Sequence, residues 1–184
     1  IEFPFLPRQL TLIGSFSIGL PGLILALAPN TNLVRPGFLK RVIRFSLPAG
    51  AVAAFAAWIV YIKSRDWAGL EINAQELAEA RTAATITLLL IGLVVLVVVS
   101  RPLRLWKIGL AAAMAGLQAC IIALPFTRNY FALDWVNGKT WGCIAIVVAI
   151  AGLVVAIIPY LVPGILPPTE KTSNRNSEAT SSSE

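Results

Sequence analysis

Histidine is absent from the 184 residues, which excludes an imidazole general base and any His-ligated metal. The two cysteines, Cys120 and Cys143, stand apart inside apolar runs. They lack zinc-type spacing, and each thiol is expected to behave as a small hydrophobe. Acid is scarce, with nine Asp and Glu against fifteen Lys and Arg. No acid or base lies in the interior of the five long apolar runs at 9–28, 45–62, 82–100, 106–125 and 141–163. Hydrolase chemistry built on a nucleophile and base therefore has no home here. What fills the chain instead is hydrocarbon, with 57% hydrophobic and 13% charged residues. Each of the five runs exceeds the roughly 17 residues needed to cross a bilayer core. The composition predicts an all-α membrane protein, a bundle of five transmembrane helices occupying 9–165. The run TITLLLIGLVVLVVVS, residues 85–100, is apolar around its whole circumference, which points to lipid as its neighbour.

The basic residues sit at the ends of the runs rather than on a patch interleaved with aromatics, so the excess of positive charge describes topology and not a nucleic-acid partner. Arg35, Lys40, Arg41 and Arg44 occupy one connection without an acid, and Arg101, Arg104 and Lys107 another. By the positive-inside rule both are cytoplasmic. The connection at 63–81 carries Asp66, Glu71, Glu76 and Glu79, and that at 126–140 carries Asp134, so both face outward. Five spans then leave residues 1–8 as the remnant of an outer loop and the carboxyl end in the cytoplasm. An outer amino end that starts at Ile1 with no signal-peptide pattern points to a piece of a longer chain. Residues 166–184, rich in Ser, Thr and Pro, are expected to form a disordered cytoplasmic tail.

Within the runs, Ala49, Ala53 and Ala57, and again Ala115, Ala119 and Ala123, form small-residue faces suited to close helix packing. Trp106, Trp141, Tyr61 and Tyr160 fall at interface depth as belt anchors. A short outer helix is expected from Asn73 to Arg81, with Asn73 and Glu76 as a capping pair and the glutamates on a solvated face. The first run differs from the others. It is interrupted by Gly19-Leu20-Pro21, and Pro21 removes a backbone donor and crowds the preceding turn. Carbonyls near Ser17 and Ile18 then lose their helical partners in a medium without water. The span is either a simple proline kink or a broken helix of the kind that exposes backbone to a transported ion.

The residues Leu6-Pro7-x-Gln9-Leu10, then Gly19-Leu20-Pro21, Leu25 and Ala28-Pro29, resemble the sixth membrane helix of cation-transporting P-type ATPases, whose pattern is P-x-Q-L-L-W-x-N-L-x-T-D-G-L-P-A-x-A-L-G closing on Asn-Pro. The four later runs, the basic connection after the first and the outer turn Leu124-Pro125-Phe126 followed by Tyr130-Phe131 fit the same family over about residues 1–165, with a layout like that of bacterial calcium pumps. The resemblance implies the carboxyl-terminal membrane part, the sixth to tenth helices, of an ATP-driven cation pump in a bacterial plasma membrane. It would support and partly line the ion pathway. In calcium pumps this helix gives an Asn, a Thr and an Asp to the ion. Gly14, Ser17 and Ile18 stand in those places, so only Ser17 keeps a side-chain oxygen for the cation, and Gly19 and Pro21 keep the helix break. Thr11, Ser15 and Gln118 are the other polar groups of the first and fourth runs.

The D-K-T-G-T phosphorylation motif and the nucleotide-binding domain of the family are absent from this sequence, so catalytic residues, ATP and Mg2+ belong to the rest of the implied pump. Its partners would be the first five helices and cytoplasmic domains, the transported cation and the bilayer. A stand-alone five-span structural or interaction protein is the alternative. A membrane-embedded lipid enzyme ranks last, for want of convergent acids, His or Cys.

Overall fold

The computed structural model describes residues 4–27, 38–68, 73–100 and 105–161. The expected tail at 166–184 and the basic connections at 29–37 and 101–104 lie outside the described residues. Among the described residues six helices follow one another and there is no strand. They are α1 (Pro7–Leu27), α2 (Phe38–Ala68), α3 (Ala74–Val99), α4 (Leu105–Ala123), the short α5 (Pro125–Phe131) and α6 (Gly138–Leu161). All except α5 contain a stretch long and apolar enough to cross a membrane.

Helix starts follow local chemistry. Pro7 occupies the first helical position of α1, where the missing N–H costs nothing, and Pro125 does the same for α5. At α3 the Glu76 carboxylate accepts the Asn73 backbone N–H at 2.9 Å, as the capping pair predicts. The helix then runs on without a stop to Val99, so the expected short outer helix is the first two turns of a 26-residue span. Nothing between Glu76 and Thr82 interrupts the backbone bonding, and the alanines and Leu77 favour its continuation.

The run that is apolar all round proves to be the centre of the bundle. From Ala80 to Ile91 the α3 side chains are nearly all buried, with α2 and α6 packed on it and α1 and α4 on its remaining sides. Protein, more than lipid, is therefore its neighbour, because a helix with no polar face can be surrounded by other helices as readily as by hydrocarbon. The Ala49, Ala53 and Ala57 face of α2 packs inward, Ala49 against Val98, Val155 and Ile158 and Ala57 against Ala80 and Ala84. Tyr61 is buried in that second cluster, away from the surface role expected of it, with the Arg65 guanidinium 5.7 Å above its ring. Trp106, Trp141 and Tyr160 are exposed on the outside of the bundle.

The connection between α5 and α6 is bound to α3 by polar groups. Thr82 Oγ1 accepts the Asp134 N–H at 2.9 Å. One Glu79 carboxylate oxygen accepts the Asn137 N–H at 2.7 Å and the Thr140 hydroxyl at 3.0 Å. Glu79 is thus a structural staple rather than part of a solvated face.

Candidate functional site

The irregularity in α1 is a widened helix and not an unwound one. Residues Pro7–Ile13 are α-helical, Gly14–Gly19 form a π-helical segment, and Leu20–Leu27 return to α. The proline explains the widening. In an unbroken α-helix Pro21 would owe a hydrogen bond to the Ser17 carbonyl and would instead press its ring against it. Lengthening each loop by one residue before Pro21 relieves that contact, and the Leu20 N–H accordingly reaches back to the Ser15 carbonyl. One consequence is local to Phe16. Its α-donor, Leu20, is committed to Ser15, and its π-donor would be Pro21, which has no N–H, so the Phe16 carbonyl is left without a regular helical donor.

Ser17, the expected cation ligand, projects from the middle of this segment toward α3. Its Oγ is buried and has no hydrogen-bond partner. The reason is the closeness of Gly92, where an added Cβ would lie 2.8 Å from Ser17 Oγ and 2.9 Å from Ser17 Cβ. The π segment is therefore seated on a glycine of the central helix, and a free hydroxyl and a freed carbonyl lie on neighbouring residues. Gly19 is exposed and Pro21 buried at the end of the same segment.

The remaining polar candidates divide. Thr11 Oγ1 donates to the Pro7 carbonyl at 3.2 Å, a bond within its own helix, and Ser15 lies on an exposed face. Gln118 of α4 is buried and donates from Nε2 to the Leu89 carbonyl at 3.4 Å, while its Oε1 has no partner. Leu89 and Gly92 are one turn apart on α3, so Ser17 and Gln118 approach adjacent turns of that helix. Thr82, Thr85 and Thr87, which the sequence reading passed over, are buried with their hydroxyls bonded to Ala78, Arg81 and Ala83 carbonyls at 2.8, 2.9 and 2.8 Å. They are satisfied within α3. Among the described residues no group of three His, Cys, Asp or Glu could hold a metal ion. The local oxygens are therefore neutral ones, fitted to contribute to a hard cation's shell but not to balance its charge.

Gln9, a residue of the quoted motif, has a structural task at the other end of α1. It is fully buried, its Oε1 accepts the Leu6 N–H at 3.0 Å, and its Nε2 donates to the Ala132 carbonyl at 3.1 Å. Ala132 closes α5 in the left-handed region at φ 49°. The side chain thereby fixes both the start of α1 and its position against the α5–α6 turn.

The chain is similar to known cation-transporting ATPases. A calcium-transporting ATPase CtpE of Mycobacterium bovis is 39% identical over 150 residues, 82% of this chain and 18% of the relative. The CtpE protein of Mycolicibacterium smegmatis is 36% identical over 162 residues, 88% of this chain and 20% of the relative. A probable cation-transporting ATPase, exp7, of Streptococcus pneumoniae is 32% identical over 75 residues, 39% of this chain and 9% of the relative. The chain thus spans about a fifth of the length of the curated relatives it matches most extensively. No protein-family model matches it, and no solved structure does.

Proposed function

This chain belongs to the cation-transporting P-type ATPases, and from that premise we propose that its α1 lines the ion pathway of a calcium pump, with Ser17 Oγ and the Phe16 carbonyl as neutral ligands. The observation that carries the reading is the π segment Gly14–Gly19, which brings a buried hydroxyl without a partner and a carbonyl without a helical donor to adjacent residues within a membrane span. An unmade hydrogen bond in such a place is costly, and a transported cation supplies what both oxygens lack. Calcium is the cargo because the extensively matching relatives carry that name. A Ca2+ ion takes six to eight oxygens, several of them carboxylate, so the acidic ligands come from helices outside this chain.

ATP and Mg2+ would act in the remaining part of the same pump. Phosphoryl transfer elsewhere would change the helix arrangement, and this bundle contributes a fixed wall, since α3 holds α1 through Gly92 and the α5–α6 turn holds it through Gln9. The basic connections at 29–44 and 101–107 and the carboxyl end then lie on the cytoplasmic side of a bacterial plasma membrane. The first five helices and cytoplasmic domains of the pump are the partners.

The test is Ser17→Ala in the full-length polypeptide. Half-maximal activation of ATP hydrolysis is expected to need roughly tenfold more Ca2+, the equivalent of about 1.4 kcal/mol. Thermal stability is expected to be unchanged or raised, because the substitution removes an unsatisfied buried hydroxyl. An unaltered cation dependence removes Ser17 from the site. Activation by another cation in place of Ca2+ removes calcium as cargo.

A further inference from the structure

A cavity of about 560 Å3 lies in the bundle, and Ser17 is not among its lining residues. It is bounded by α3, α4 and the α5–α6 connection, with Trp141 as the lining residue from α6. Its walls include Ile86, Leu90 and Leu93 of α3 and Ala115, Ala119 and Ile122 of α4. The small-residue face of α4, expected to pack against a helix, thus lines a groove instead. Thr82 and Leu93, near its two ends, are eleven residues apart on α3, which makes the groove about 16 Å long at 1.5 Å per residue, parallel to the helices.

Two polar features mark it as more than a packing gap. Gln118 lines it, is only 4% exposed, and leaves its Oε1 without a partner. At the Thr82 end the lining is Leu133, Asp134, Trp135 and Val136 together with Arg128, so the guanidinium shares that end with one carboxylate. The Arg128 guanidinium lies 4.7 Å from the Trp135 ring centre, and it forms no ion pair among the described residues. A cation held at the end of an apolar channel by an aromatic face is complementary to an anion that carries a hydrocarbon chain.

We infer that this groove binds an anionic glycerophospholipid of the bilayer. One acyl chain lies along Ile86, Leu90, Leu93, Ala115 and Ala119, and the headgroup phosphate pairs with Arg128. A water that follows the glycerol esters gives Gln118 Oε1 the donor it lacks. The roof formed by residues 133–136 decides between a lipid and a helix as occupant. A membrane-crossing helix about 10–12 Å wide would have to continue past that roof, whereas a lipid ends there. This goes beyond the transport reading, and its readout does not depend on the cation carried.

The test uses the full-length polypeptide extracted from its membrane, exchanged into nanodiscs of phosphatidylcholine with or without phosphatidylglycerol, released into detergent and weighed by native mass spectrometry. Wild type is expected to keep one phosphatidylglycerol through washes that remove phosphatidylcholine. Arg128→Gln is expected to cut that retention about tenfold, Arg128→Lys to restore most of it, and Ala119→Trp, which fills the groove, to abolish it. Ile146→Trp, on the exposed face of α6, is expected to change nothing. The site is overturned by equal retention of the two lipids, by retention that neither Arg128→Gln nor Ala119→Trp lowers, or by a bound polypeptide in place of lipid.

Discussion

A single hydrogen is all that position 92 presents to Ser17. Gly92→Ala would put a methyl group within 2.9 Å of both Ser17 Oγ and Cβ, and because Cβ cannot rotate away, α1 has to move off α3. Overpacking of this kind costs about 1–3 kcal/mol, so the variant is expected to unfold at lower temperature in detergent than wild type. Gly109→Ala and Gly116→Ala, where an added Cβ meets nothing within 4 Å, are expected to be neutral or stabilising by up to about 1 kcal/mol through helix propensity. Adding Ser17→Gly to Gly92→Ala is expected to recover most of the loss. Equal effects at positions 92, 109 and 116 would show that the contact does not matter. The sequence marked Ser17 as an oxygen in an apolar span, but it contained no sign of Gly92, since a lone glycine in GLVVLVVV carries no pattern that selects a partner 75 residues earlier. Gln9 was visible only as a letter of a motif. Its two hydrogen bonds depend on where the α5–α6 turn comes to lie, which is a tertiary fact.

Among the elements, α1 shows how far proline chemistry can be read ahead of a structure. The lost donor at Pro21 and the disturbance near Ser17 follow from the ring alone. Whether the backbone unwinds, kinks or widens depends on what the neighbouring helices allow, and here a seat on Gly92 favours widening. Pro48 and Pro159 sit inside α2 and α6 without any such segment, so proline is not sufficient. The same comparison supplies a test. Pro21→Ala restores an N–H to the Ser17 carbonyl and removes the reason for the π segment, so Ca2+ transport by the full-length polypeptide is expected to fall severalfold while the amount in the membrane changes little. Pro48→Ala is expected to leave transport near wild type. If the two behaved alike, the widened helix would have no part in transport. The small-residue faces were equally legible as faces, but not as to what they meet. Ala49, Ala53 and Ala57 found other helices, whereas Ala115, Ala119 and Ala123 line an open groove, because spacing specifies a surface and not its occupant.

For the molecule as a whole, the question is which apolar surface belongs to lipid and which to more protein. Charge placement and run length gave the five spans, since water and hydrocarbon sort residues by simple rules. They said nothing of which span is central, because a helix apolar on every side is compatible with either surrounding. α1 is the least covered of the five, and Ile18 and Leu23 on its outer side are 72% and 58% exposed, close to the 63% and 60% of Ile146 and Ile150 on α6. In this chain alone the two surfaces are equivalent. If α1 lines the pathway of a larger pump, its outer side is covered by the remaining helices and that of α6 is not. Single spin labels at these four positions, in a full-length background with Cys120 and Cys143 replaced by Ala, distinguish the cases through collisions with oxygen, which concentrates in the bilayer. Labels at 146 and 150 are expected to be freely accessible, and those at 18 and 23 several times less so. Equal access at all four would mean that α1 faces lipid, and the stand-alone five-span bundle would then describe the molecule better than the wall of an ion pathway.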